Sequence, residues 1–420
     1  MHSESTLPVS DWIDDQLDAL ITLYADFHSH PELSCQEAET ANRLAQEWRD
    51  VGAEVTTDVG GHGVVGLMQN GPGPTLMLRT DMDALPVTEQ TGLPYASRVV
   101  ATDRQGIETG VMHACGHDVH MTNLAGVARY LATHREDWRG TAMLVGQPAE
   151  ETGTGATSML QDGLFERFPL PDFALALHIA HDIEVGHVAW WSGAATANVD
   201  TVDITLFGKG GHGSRPHTTI DPIVQAAQLV LSLQSIVSRE ISSAESAVLT
   251  VGSIHGGSKH NIIDDQCHLQ LTVRSHSDSV RQQLREGIVR RSQAAAMGAG
   301  ARKPDVQFTS GTPSVHVDPQ LAARVASTLQ RILGPDRVTR AQALMVGEDY
   351  GRYGQAGVPL VMYRLGTVNG QHMRQSLRDG TPLPSLHSPH YSPDIEHTLK
   401  TGILTMAGSA LELLGTPSTA

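Results

Sequence analysis

Within Val111-Met-His-Ala-Cys-Gly-His-Asp-Val-His120, a thiol, a carboxylate and three imidazoles occupy ten consecutive positions. Cys115 and His117 stand two apart, and Asp118 follows at once. A thiolate and an imidazole so close can grip one borderline-soft cation such as Zn²⁺. The apolar run Leu124-Ala-Gly-Val-Ala-Arg-Tyr-Leu131 then reads as a helix, so the cluster falls at a loop-to-helix junction. Taken alone, the segment equally describes a buried thiol beside ordinary histidines. A thiol nucleophile built on Cys115, with His117 as its base, is a third reading.

Two further segments have related form. Thr141-Ala-Met-Leu-Val-Gly-Gln147 reads as a short buried strand and leads into Pro148-Ala-Glu-Glu-Thr152. Adjacent Glu150 and Glu151 diverge from one backbone position. One can bind a metal while the other faces the water that the metal activates, a division that suits hydrolysis. Two solvated surface acids are the plain alternative, which placement after a buried strand disfavours. Phe173-Ala-Leu-Ala-Leu177 is apolar with His178 at its end. Ligands at the carboxyl ends of strands are the general site geometry of open α/β sheets. The two-residue spacing from Cys115 to His117 suits joint metal binding at least as well as proton transfer, and the glutamates favour the metal over the thiol nucleophile.

At 420 residues the chain is too long for one ordinary core and suggests two domains. Hydrophobic residues make up 40% and charged residues 18%, a globular balance. A formal net charge of −17 argues against nucleic-acid or anionic-membrane partners, which call for basic surfaces. The three cysteines, Cys35, Cys115 and Cys267, are too sparse for a disulfide framework and fit a reducing compartment. Cys35 and Cys267 read as small buried or partly buried residues. Neither a secretory signal nor an apolar run of about 18 residues is visible, so a cytoplasmic protein is expected.

Helical apolar spacing marks Asp11–His28 and Glu37–Val51, and short strands follow at Val64–Met68 and Leu76–Leu78. This alternation implies an α/β sheet with helices on its faces. Ser192-Gly-Ala-Ala-Thr-Ala-Asn-Val199 is small and polar and reads as a hinge. Beyond it, Val199–Leu206 alternates with period two, Asp221–Ile241 and Val280–Ala296 read as helices, and Ala247–Ser253, Cys267–Val273 and Val306–Phe308 as strands. The chain returns through a helix over Asp318–Leu333, a strand at Pro359–Tyr363 and a final helix near Ile395–Leu414. The expected organisation is a catalytic domain of residues 1–193 and 310–420, its mixed sheet flanked by helices, with an α+β unit of residues 194–309 inserted.

The chain resembles the amidohydrolase and aminoacylase branch of the two-metal aminopeptidase-like metallopeptidases. The resemblance is carried, in family order, by Leu78-Arg-Thr-Asp-Met-Asp-Ala-Leu-Pro86, Met112-His-Ala-Cys-Gly-His-Asp118 and Gln147-Pro-Ala-Glu-Glu151. Ala176-Leu-His178, Gly210-Gly-His-Gly-Ser-Arg-Pro-His217, Gly347-Glu-Asp349 and Leu386-His-Ser-Pro389 complete it. It implies Cys115, His117, Glu151, His178 and His387 as ligands of two divalent ions per subunit, with zinc or manganese foremost and cobalt or nickel also suited to a mixed S/N/O site. It implies Glu150 as general base, Asp83 as the acid that orients the site, and His212 as a donor to the substrate carbonyl, commonly from the partner subunit. Either His387 or His390 suits the last ligand, and the motif favours His387. The insert resembles a lid and dimerisation domain, implying a homodimer.

The implied reaction cleaves an N-acyl amino acid to a carboxylic acid and a free amino acid. Asn261 and Arg274 are candidates for the substrate carboxylate, which an arginine can pair bidentately, although Arg274 equally suits a structural ion pair. The Gly347-Glu-Asp349 loop is expected to shape the pocket. Alternatives are a dipeptidase or carboxypeptidase of the same clan, and a non-catalytic metal-dependent binding protein, against which the presence of Glu150 speaks.

Overall fold

A computed structural model of the protein describes residues 8–415. Along the chain lie α1 (Pro8–Ser29), α2 (Ala38–Asp50), β1 (Glu54–Val59), β2 (Gly63–Asn70), β3 (Thr75–Asp81), α3 (His117–Thr133), β4 (Gly140–Gln147) and β5 (Phe173–Glu184). Then come β6 (Asn198–Phe207), α4 (Pro222–Arg239), β7 (Ala247–Gly256), β8 (Gln266–Ser275), α5 (Asp278–Gly298) and β9 (Asp305–Ser310). The chain closes with α6 (Pro319–Leu333), β10 (Leu360–Val368) and α7 (Ile395–Leu413). Short strands and helical turns connect them.

Contacts divide these elements into two units. One holds the chain up to Gly193, His316–Gln342 and everything from Asp349 onward; the other holds Ala194–Val315 and Ala343–Glu348. The second unit thus reaches beyond residue 309 and recruits a short return segment.

In the first unit the neighbouring strands of a mixed sheet run β1, β2, β4, β3, β5, β10. β1 and β2 are antiparallel additions, whereas β4, β3, β5 and β10 are mutually parallel. Arg79 of β3 pairs with Val145 of β4 and Ala176 of β5; β3 and β4 end level, Asp81 opposite Gln147, while β5 runs on beside them. This end of the sheet collects the motif residues. Helices α1, α3 and α7 pack together over the sheet. Along α2, Ala41, Leu44, Ala45 and Trp48 recur at helical spacing and are all buried.

In the second unit a four-stranded antiparallel sheet, ordered β7, β8, β6, β9, carries α4 and α5 on its core side. β6 alternates buried and half-buried positions, as a half-buried strand must. Leu206, Leu229, Leu233, Leu269, Leu271 and Leu284 lie in the core between sheet and helices.

Several helix boundaries differ by a residue or two from the apolar pattern because caps set them. Asp221, Ser277 and Asp318 each accept backbone N–H bonds from the first turn of the helix they precede, and Pro222 and Pro319 occupy the position that needs no donor. Some differences are larger. β5 continues through His178 to Glu184, because pairing with β10 persists from Leu360↔Ala174 to Val368↔Glu184 after the apolar run has ended. His178 is therefore inside a strand, not at its end. α3 begins at His117, so about two turns of buried and mostly polar residues precede the apolar stretch.

From Ala194 onward the small-residue segment is tied down inside the second unit: Ala195 N donates to Val315 O at 2.8 Å and Ala197 N to Val346 O at 2.9 Å. Cys35 is exposed, contrary to expectation, in a turn where its φ is +66°. Cys267 is buried. No helix among the described residues is long and apolar enough to cross a membrane.

Candidate metal centre and active site

The first unit brings together side chains separated by up to 272 positions in sequence, from Cys115 to His387. Cys115, His117 and His178 present ligand atoms within 4.8 Å of one another; so do Cys115, Glu151 and His387, and so do His117, Glu150 and Glu151. Cys115, His117 and Glu151 each belong to two of these groups, so the three sets overlap in one cluster.

His117 and His178 are each oriented by a bond at the other nitrogen. His117 Nδ1 lies 2.7 Å from the Asp83 carbonyl oxygen and donates to it. His178 Nδ1 donates to the Ile179 carbonyl at 2.8 Å. Both Nε2 lone pairs are then free for a cation, the usual tautomer control of metal-binding histidines. His178 Nε2 sits 3.6 Å from Cys115 Sγ. His117 Nε2 and Glu151 Oε1 are buried, lack a hydrogen-bond partner and lie 3.9 Å apart. Orphaned acceptors of this kind are rare in a folded interior, and a divalent cation is what an S/N/O donor set would satisfy them with. The residues therefore fit a metal centre.

The electrostatics agree. Burial pushes the Cys115 thiol well up, and Glu151, Glu150 and Asp81 push it further. Burial likewise raises Glu151 to about 7 and lowers His178 to about 3. Burial would also lower His117, but Asp81 and Asp83 outweigh it and hold its pKa at about 10. Such a concentration of negative charge favours a cation, and metal ions displace protons from these ligands.

Asp83 does two jobs. Beyond its carbonyl bond to His117, its carboxylate oxygens accept Glu150 N at 3.1 Å and Glu151 N at 3.0 Å, with Ser34 Oγ donating to the same group at 2.6 Å. Both glutamates are thus aimed from one carboxylate. His387 Nε2 lies 3.5 Å from Glu151 Oε1, while His390 Nδ1 turns to the Gln90 carbonyl at 3.2 Å. The geometry selects His387 over His390 for the candidate ligand set.

Sequence reasoning passed over a second layer. Asp81 Oδ1 receives His120 Nδ1 at 2.6 Å, and His120 Nε2 accepts the Ile179 N–H at 3.0 Å. With both nitrogens used, His120 props the backbone beside His178. Its position three residues after His117 on one helix face was the available signal. Arg79 ties Asp81 at 2.8 Å to Asp349 at 3.3 Å. Asp349 also accepts Gln147 Nε2 at 2.6 Å and Ala156 N at 2.9 Å. Asp349 is completely buried in this network, where it braces the Gln147–Ala156 turn.

His212, Asn261 and Arg274 belong to the second unit. A two-residue ribbon pairs Gly211 and His212 with Ile263 and Ile262, and Gly213 N donates to Asn261 O at 2.8 Å, which sets Asn261 beside His212. Ser214 N donates to His212 Nδ1 at 3.1 Å. An amide N–H can only donate, so the proton of neutral His212 rests on Nε2, as an exposed donor. Arg274 is half-buried and has no hydrogen-bond or ion-pair partner among the described residues; burial alone lowers its pKa. The structural ion-pair role is thereby excluded within the described chain.

Comparison with known proteins decides the family. Residues 77–378 match the model for peptidase family M20/M25/M40. The chain belongs to this family. It is 35% identical over 339 residues to an N-acetyl-L-cysteine deacetylase of Bacillus subtilis, covering 80% of this chain and 77% of that one. It is 34% identical over 404 residues to thermostable carboxypeptidase 1 of Saccharolobus solfataricus, covering 95% and 94%. A Bacillus subtilis structure described as a dinuclear metal binding peptidase from the M20 family superposes with a TM-score of 0.79 at 30% identity, covering 96% of this chain and all of that one. Membership places the chain among amide-bond hydrolases, and the mixed α/β architecture is that of its solved relatives.

Proposed function

We propose that the chain is a metal-dependent amidohydrolase that cleaves N-acyl amino acids to a carboxylic acid and a free amino acid. The observation that carries this reading is the convergence of Cys115, His117, Glu151, His178 and His387 around orphaned buried acceptors, with Glu150 beside them. Zinc or manganese, two ions per subunit with Cys115 shared, suits the donor set best; cobalt and nickel are the next candidates. Once bound, such ions polarise a carbonyl and lower the pKa of water toward ~7.

The chain's own residues supply the rest. Glu150 accepts a proton from the attacking water on its carboxylate and returns it to the leaving nitrogen. Asp83 keeps Glu150 and Glu151 pointed and holds the His117 tautomer. His212 offers its Nε2–H to the oxyanion, a contribution worth about 2.7–4 kcal/mol where one such donor is lost elsewhere. Arg274 and Asn261 receive the substrate carboxylate; an unpaired guanidinium is the right chemistry.

A homodimer formed through the second unit is part of the proposal. β7 is an edge strand, Ile254 on it is 48% exposed, and Leu231 on α4 is 75% exposed, surfaces a partner would cover. Three free cysteines suit a reducing compartment, hence a cytoplasmic enzyme.

The test is a matched panel of N-acetyl and N-benzoyl amino acids, their amides and free dipeptides, compared by kcat/KM on protein of known metal content. Acids should be strongly preferred, because a site built for a carboxylate leaves donors unpaired without it. The likeness to a carboxypeptidase favours a second reading, peptide hydrolysis at a free carboxyl terminus. A clear preference for free dipeptides would establish it instead.

A further inference from the structure

The turn that carries Glu150 and Glu151 is gripped at three consecutive amides by carboxylates from elsewhere in the first unit. Asp83 takes the N–H groups of Glu150 and Glu151. The N–H of Ala149, one residue earlier, donates to Glu37 Oε1 at 2.8 Å.

Glu37 stands at the N-cap position of α2, where an acidic side chain ordinarily accepts from the first N–H groups of its own helix. It makes no such bond. Its Oε1 receives Cys35 N at 2.8 Å as well as Ala149 N, and its Oε2 is buried with no partner. The residue is completely buried. Desolvating a carboxylate in this way is costly; burial, followed by the nearby charge of Asp83, pushes its pKa up to about 7. What Glu37 holds is itself strained. Ala149 has φ +52°, a left-handed conformation that a residue with a Cβ adopts only when its surroundings impose it. Released, Ala149 would relax toward negative φ and turn the following residue with it. Glu150 follows Ala149 directly in the chain, so the displacement falls first on it.

We propose that Glu37 is a positioning residue: by pinning the Ala149 N–H it keeps the turn left-handed and aims the Glu150 carboxylate. The inference rests on the reading of Glu150 as general base.

The test compares Glu37→Ala, Glu37→Leu, Ala149→Gly and the Glu37→Ala/Ala149→Gly double variant. Glycine adopts positive φ without penalty, so it should keep the turn in shape when the clamp is gone. In Glu37→Ala, kcat should fall by about 10- to 100-fold, the scale of an ångström-sized misplacement, with KM changed by less than about threefold and metal content per subunit unchanged. The double variant should recover at least about threefold of that kcat, a rescue that general destabilisation would not give. Independently of activity, hydrogen–deuterium exchange in metal-stripped protein should be about tenfold faster at Ala149 in Glu37→Ala and Glu37→Leu. Glu37→Leu keeps the buried bulk and serves where the alanine variant does not fold. Unchanged kcat, loss of metal in proportion to loss of activity, or a double variant no faster than Glu37→Ala would each overturn the proposal. If the wild type cleaves no amide on the panel, the hydrolase reading fails, and the exchange measurement still decides the clamp: unchanged protection at Ala149 overturns it.

Discussion

Glu150 and Glu151 are chemically identical neighbours, and only their surroundings separate their work. Glu151 Oε1 faces His117 and His387, whereas Glu150 is proposed to handle protons. Glu150→Gln should leave metal content near normal and lower kcat by the ~10²–10⁴-fold typical of a lost acid–base group. Glu151→Gln should lose metal instead. Equal metal loss in both, with normal turnover per bound ion, would reverse the assignment. Cys115→Ser should weaken metal retention, read by elemental analysis after dialysis, because a hydroxyl is a poor substitute for a shared thiolate. Cys35→Ser, on the exposed turn, should not.

At the scale of elements, α3 is the pivot. Its N-terminus depends on Gly116, whose φ is +75° and at which a Cβ would lie 2.1 Å from Ile179 Cδ1. Gly116→Ala should therefore lower the urea midpoint, by about 1–3 kcal/mol of stability from backbone strain with overpacking added. A second fastening joins α1 to α3. His28 Nδ1 lies 2.6 Å from Asp118 Oδ2 and its Nε2 3.1 Å from Glu89 Oε1, all buried. Burial would lower the His28 pKa, but bonds to Asp118 and then Glu89 raise it from its ordinary 6.5 to about 10. A raised folded pKa means the folded state binds the proton more tightly. Its stabilisation is complete below pH 6.5 and is lost as pH rises through about 10. Thermal melting of the wild type should decline across that window by an amount on the order of 4 kcal/mol or less, and His28→Gln should flatten the decline. An equal decline in that variant would place the effect elsewhere.

At the scale of the whole molecule, the proposed ligands, drawn from α3, the turn after β4, β5 and the segment before α7, would couple folding to the metal. A cation held only by the native state adds stability that grows with free metal, about 4 kcal/mol at 1,000 times its Kd. Chelation should lower Tm and abolish turnover together, and restored Zn²⁺ or Mn²⁺ should return both; full activity in metal-free protein would overturn the mechanism. The exposed edge of β7 and the apolar face of α4 predict a dimer in sedimentation, with Leu231→Arg shifting it to monomer. If His212 acts across that dimer, mixing His212→Ala with Glu150→Gln subunits should recover activity through heterodimers. An active monomer would defeat the trans arrangement.

Ligand chemistry was legible in the chain because thiols, imidazoles and paired carboxylates are few, and their local spacing survives folding. The strand-and-helix order was legible for a similar reason: apolar periodicity records which face is buried. Other features came only with the tertiary structure. β5 runs past its apolar stretch because a parallel neighbour continues the ladder. Asp349 braces a turn 202 positions away through Gln147, and Glu37 reaches Ala149 across 112. Nothing near Glu37 in sequence distinguishes it from an ordinary helix cap. The choice of His387 over His390 had the same origin: both are three residues apart in one loop, and only the fold turns one toward Glu151 and the other toward the Gln90 carbonyl. A residue's type limits what it can bind, and the sequence states that outright. Which partner it meets is settled by packing between distant segments, whose geometry no local pattern encodes.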